Sequence, residues 1–212
     1  MLRRMQPSVR NLVLANLLTL ALALAFGWDA GWLIWPYWIQ SVVIGWYARR
    51  RMLEVDRFST EGFTSNGTRV AEDETGKRST ANFFSLHYGF FHAGYLVFLL
   101  TRHPVHGLWD TLAMIACGFS FVWSQRLTYA VQHAADLRGR PNLGALMFLP
   151  YLRIVPIHLI ILVGGLGGGA MALIVFTALK TAADVGLDVI DRRMAIASSA
   201  QAVQAEAQAS DP

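Results

Sequence analysis

Four polar side chains interrupt four separate apolar runs of the sequence: Asn16, Gln40, His92 and His158. An imidazole can pass protons near neutral pH or ligate a metal or haem. The amides offer a donor and an acceptor to a polar solute. Counted at 1.5 Å per residue from the outer ends of their runs, all four fall roughly 13 Å deep, with Asn16 slightly deeper. A second layer follows at roughly 20 Å, holding His87, Arg153 and Lys180, with Asp184 one turn beyond Lys180. Ionisable groups in a membrane-spanning helix are costly, so each is a candidate functional residue, weighed against a role in helix packing.

Thr177, Lys180, Thr181 and Asp184 recur at spacings of three and four, continuing to Asp188 and Asp191, and so line one helical face. If Arg153 reaches the same depth on a partner helix, Asp184 can partly neutralise two cations. The plain alternative is that this stripe marks where the helix leaves the membrane and its long side chains reach for water. His87 and His92 are five apart and point about 140° from each other, so a regular helix cannot bring both to one metal. Ser85, Tyr88, Gly89 and His92 share a face suited to close helix contact. No glycine-rich nucleotide loop, His-Glu-x-x-His or Gly-x-Ser-x-Gly occurs, and no catalytic or metal-ligating residue is assigned. Cys117, the single cysteine, reads as a buried, silent thiol.

The elements that must hold these residues follow from composition. The 212 residues are 54% hydrophobic and only 15% charged, with net charge +4. Soluble domains carry roughly a quarter charged residues. The basic balance does not point to nucleic acid, because the arginines fall between apolar runs rather than on one face. A bilayer span takes about 20 apolar residues. The runs predict spans over 9–26, 31–48, 83–101 and 108–125, with Trp32, Trp35, Tyr37 and Trp38 marking an interface. The polar stretch 49–80 reads as a cytoplasmic loop, with a short helical extension allowed through Arg57. Residues 1–194 form the helical domain, and 195–212 a disordered or frayed tail. Met1 to Gly27 also has the basic start and apolar core of a signal peptide, whose cleavage would leave five spans.

The stretch 143–179 is long for one span and short for two. Its central run, Gly164-Gly165-Leu166-Gly167-Gly168-Gly169, permits a reversal. The expectation is a hairpin of spans over 150–163 and 170–186, with one helix over 157–179 as the five-span alternative. Charge favours six: every Lys and Arg except Arg102 then lies on or near one side, which is the cytoplasmic side for both termini. Arg49, Arg50 and Arg51 sit where anionic lipid headgroups would be met.

Tyr37-Trp38-Ile39-Gln40-Ser41-Val42-Val43-Ile44-Gly45, Phe83-Phe84-Ser85-Leu86-His87-Tyr88-Gly89, Leu179-Lys180-Thr181-Ala182-Ala183-Asp184 and His158 together resemble an uncharacterised family of bacterial multi-pass membrane proteins, a domain of unknown function. The resemblance implies a bacterial cell-membrane protein and carries no activity. The expected fold is therefore an all-α polytopic transmembrane bundle. The expected function is a non-enzymatic scaffold or partner-binding subunit, with the bilayer and a protein as partners and no cofactor. Two alternatives stay open: a small-solute or proton-coupled carrier using the four-residue layer, and a redox protein with histidine-ligated haem or metal.

Overall fold

The computed structural model describes the backbone of residues 30–162 and 170–209, and eight positions between 13 and 25, all helical. The glycine run and most of the amino-terminal segment that could read as a signal peptide lie outside the described residues, as do the side chains of Cys117, Asp188 and Asp191. Five helices are described: α1 (Ala30–Glu54), α2 (Glu74–Arg102), α3 (Gly107–Arg138), α4 (Leu143–Leu162) and α5 (Ala170–Ala209). A two-stranded hairpin, β1 (Thr64–Ser65) with β2 (Thr68–Arg69), lies between α1 and α2. The expected all-α class is the observed one.

Helix α1 is the hub and packs against each of the other four. Its Ile34, Tyr37 and Met52 join Phe84 and Leu99 of α2, Leu146 and Ile154 of α4, and Phe176 of α5 in one core. Gly45 sets the α1–α2 approach, because a Cβ there would overlap the Tyr88 ring. Helices α4 and α5 also pack on each other. Arg153 and Asp184 meet at 3.1 Å, whereas one straight helix would hold them about 46 Å apart. The chain therefore reverses between them, as the hairpin expectation requires.

Burial is inverted on the outer helix faces. Phe84 and Leu99 are 1% and 0% exposed, yet Leu86, Trp109 and Phe119 are 78%, 81% and 74% exposed. These large apolar side chains belong to a surface that runs along α2, α3 and α4. Soluble monomers rarely leave so large an apolar surface uncovered. Pro36, Pro150 and Pro156 all stand inside helices.

The six-span count is not reproduced by helix composition. Among the described residues, one helix, α2, is both long and apolar enough to cross a membrane on those two measures. In α1 the uncharged run before Arg49 is diluted by Trp35, Tyr37, Trp38 and Gln40, and in α3 the run is interrupted by Asp110, Ser120, Ser124 and Gln125. In α4 the strongly apolar part is short. Helix α5 continues to Ala209, through most of the segment expected as a tail.

The polar stretch 49–80 is not a plain loop. Helix α1 runs on to Glu54, and α2 begins at Glu74, where the Asp73 carboxylate caps it by accepting the Gly76 N–H at 2.8 Å. Between them, Asn66 and Gly67 turn the β-hairpin with φ of 51° and 77°. That is the Asn-Gly pair a two-residue hairpin turn favours. The segment docks on the start of α4: the Ser59 N–H donates to the Pro141 carbonyl at 2.9 Å, and the Leu143 N–H to the Ser59 carbonyl at 2.8 Å.

Candidate functional site

The eight candidate residues do not all meet. Most of them fall into two buried groups and one bridge between helices.

The first group joins α1 to α2. His92 Nδ1 lies 2.8 Å from the Tyr88 carbonyl, and Nε2 lies 3.0 Å from Ser41 Oγ. A carbonyl only accepts, so Nδ1 carries the proton in the neutral ring. Nε2 is then an acceptor, and the Ser41 hydroxyl donates to it. The Tyr88 hydroxyl in turn donates to the Ser41 carbonyl at 2.9 Å. Trp38 Nε1–H closes the arrangement on the His92 carbonyl at 3.0 Å. Both imidazole nitrogens are spent, so a metal or haem ligand role would first break a buried hydrogen bond.

The bridge joins α2 to α4. Tyr95 contributes its hydroxyl to His158 Nδ1 at 2.8 Å, and its ring also stands 5.9 Å from the His92 ring. His92 and His158 are thus linked through Tyr95 rather than by direct contact. Gln40 takes no part in this chain of hydrogen bonds, and Asn16 is elsewhere.

The second group is the charged one, and it joins the amino-terminal helical residues to α1, α4 and α5. Asp184, 4% exposed, accepts from Lys180 Nζ at 2.6 Å and from the Arg153 guanidinium at 3.1 Å. Lys180 Nζ also donates to Asn16 Oδ1 at 3.2 Å and stands 5.4 Å from the Tyr37 ring centre. The Tyr37 hydroxyl donates to the Arg153 carbonyl. Two cations share one carboxylate, with an amide oxygen and an aromatic face supplying the remaining negative potential. Asn16 Nδ2 is buried without a partner among the described residues. His87 does not belong to this group. It is exposed, pairs with the Tyr151 hydroxyl at 3.0 Å and stacks on Phe83.

Sequence reasoning missed a third region, where the ends of α1 and α3 meet the hairpin segment. Arg51 makes a bidentate pair with Asp136 at 2.7 and 3.0 Å and reaches Gln132 at 3.1 Å. Arg50 pairs with Glu54 at 2.7 Å, and Glu54 also accepts from Tyr129. Of the three arginines expected at lipid headgroups, Arg50 and Arg51 therefore have carboxylate partners within the chain. Glu72 accepts the Thr60 N–H at 2.9 Å and pairs with Arg69 and Arg140. The Thr60 hydrogen bond is the largest influence and, with Arg140 and Arg69 beside it, holds the carboxyl below the ordinary carboxylate range against the opposing effect of burial. The available signal was the opposite charge of Arg51 and Asp136 at the same end of neighbouring helices.

Among the described residues, no cluster of three or more His, Cys, Asp or Glu is arranged to hold a metal ion. Residues 2–201 match a family of unknown function, DUF6498, and the chain belongs to that family. No curated protein and no solved structure matches it.

Proposed function

We propose that this member of the family is a bacterial multi-pass protein of the cell membrane, with both termini in the cytoplasm, acting as a non-catalytic scaffold or partner-binding subunit. The carrying observation is the pairing of an apolar exterior with polar groups that close on one another inside. Leu86, Phe90, Trp109 and Phe119 face outward, while His92, Ser41 and Tyr88, and Asp184 with its two cations, are satisfied within the chain. In a bilayer, the hydrophobic effect does not distinguish a lipid tail from a leucine, so such internal hydrogen bonds and close packing supply helix association. Internal prolines support the same reading, being commoner in membrane helices than in soluble ones. On this reading the helical residues between 13 and 25 form the first span and α1 to α5 contribute the other five. The docked hairpin segment 55–73 is then a preformed cytoplasmic surface for a partner.

Membrane fractionation tests this. The chain should stay with membranes through an alkaline wash and leave them only in detergent. Release into the aqueous wash would contradict it. A second reading, a small-anion carrier, is favoured by one observation: among the described residues Asn16 Nδ2 has no partner, beside a group with two cations and one carboxylate. Solute uptake that Lys180→Met abolishes, in a variant that still inserts, would select it.

A further inference from the structure

An open groove of 340 Å³ runs between α1 and α2. That volume is at the lower end of the range for small-ligand sites, about 300–1,000 Å³. Val42, Trp46 and Arg49 line it from α1, and Ser85, Tyr88 and Gly89 from α2. Each set recurs at helical spacing, so the groove follows the helix axes rather than cutting across them. Gly89 explains why it is open: a Cβ there would meet nothing within 4 Å. The lining on the α1 side is apolar and open, with Val42 and Trp46 39% and 64% exposed.

The ends of the groove differ chemically. Arg49 and the 64% exposed Trp46 stand at the end nearer the α1 terminus. Arg50 and Arg51 beside it are held by Glu54 and Asp136. Arg49 has no carboxylate partner among the described residues. Tryptophan with arginine is the pairing expected at headgroup level, where the ring is amphipathic and the cation meets phosphate.

We infer that this groove is a site for one anionic glycerophospholipid, its acyl chain lying along Gly89 and Val42 and its phosphate on Arg49. Charge complementarity at the Arg49 end selects the anionic headgroup, and the apolar length selects a chain rather than a free anion. The inference rests on the membrane reading above.

The test is native mass spectrometry of the full chain released from nanodiscs containing equal amounts of phosphatidylglycerol and phosphatidylcholine. Wild type should retain one phosphatidylglycerol in preference to phosphatidylcholine. Arg49→Gln should reduce that preference roughly fivefold, the worth of one basic residue at an anionic surface. Gly89→Leu, which fills the groove and suits a helix, should lose the retained lipid while melting as wild type does. Equal retention of both lipids by wild type, retention unchanged in both variants, or an added polypeptide mass in place of lipid overturns the proposal. Failure of wild type to enter nanodiscs at all instead refutes the membrane reading on which it stands.

Discussion

The Arg153 guanidinium lies 3.1 Å from the Asp184 carboxylate across the α4–α5 hairpin, and this contact fixes how the last two helices sit. Asp184 is the group on which Lys180 also depends. Removing it leaves two cations in poorly hydrated surroundings. Asp184→Asn should therefore destabilise the detergent-solubilised protein by about 3 kcal/mol, the lower end of the cost of stripping one partner from a buried ion pair. Glu61→Gln, on an exposed residue, should leave the unfolding midpoint unchanged. Equal loss in both variants would show that the charged group has no special structural role.

Ser41 and His92 should be energetically coupled, because the serine hydroxyl satisfies Nε2. Ser41→Ala alone is expected to cost about 1–3 kcal/mol by orphaning a buried acceptor. His92→Ala made on that background should cost less than in wild type, by at least about 0.5 kcal/mol. Strict additivity in a double-mutant cycle would mean the two do not act together.

Gly45→Ala should loosen the α1–α2 interface, since its methyl group would overlap the Tyr88 ring. Overpacking of this kind costs about 1–3 kcal/mol. The penalty should shrink when Tyr88→Ala is introduced as well. A Gly45→Ala protein as stable as wild type would contradict the close approach.

Acid should undock the hairpin segment before it unfolds the bundle. Glu72 is held below the ordinary carboxylate range, chiefly by the Thr60 N–H and then by its arginine partners. Its contribution is thus complete above the unfolded-state pKa of about 4.3 and is lost as pH falls through the lower folded value. Amide exchange over residues 55–73, measured on intact protein, should accelerate only in that acid window. In Glu72→Gln the segment should exchange fast at neutral pH as well. Exchange in the wild type that rises as pH increases from 5 to 7, beyond the intrinsic chemical rate, would reverse the sign and reject the account.

The helix-face part of the site could be read from spacing. Ser85, Tyr88, Gly89 and His92 were expected to share a face, and all four line the α1–α2 groove. Depth counting also brought Arg153, Lys180 and Asp184 together, because a hairpin fixes the relative height of its two arms. It did not reveal that His87 faces away from that group and pairs with Tyr151 instead. It failed for Asn16, which sits with Lys180 rather than with His92. An offset of about three residues in the first span is enough to move a side chain between layers. The hairpin segment escaped because its order comes from distant partners. Glu72 needs Arg140, and Ser59 needs Pro141, neither of which local periodicity reveals. The Asn66-Gly67 pair was its one local signal, and strands of two residues show no alternation to support it.

The central claim is a membrane bundle whose docked hairpin segment and carboxyl end face the cytoplasm. Paired reporters test it most directly, with green fluorescent protein fused after Pro212 and alkaline phosphatase inserted at the turn between α2 and α3, beside His106. The account predicts a fluorescent carboxyl-terminal fusion and an active phosphatase at His106. Phosphatase activity at the carboxyl terminus, or none at His106 in a stably expressed fusion, would contradict it.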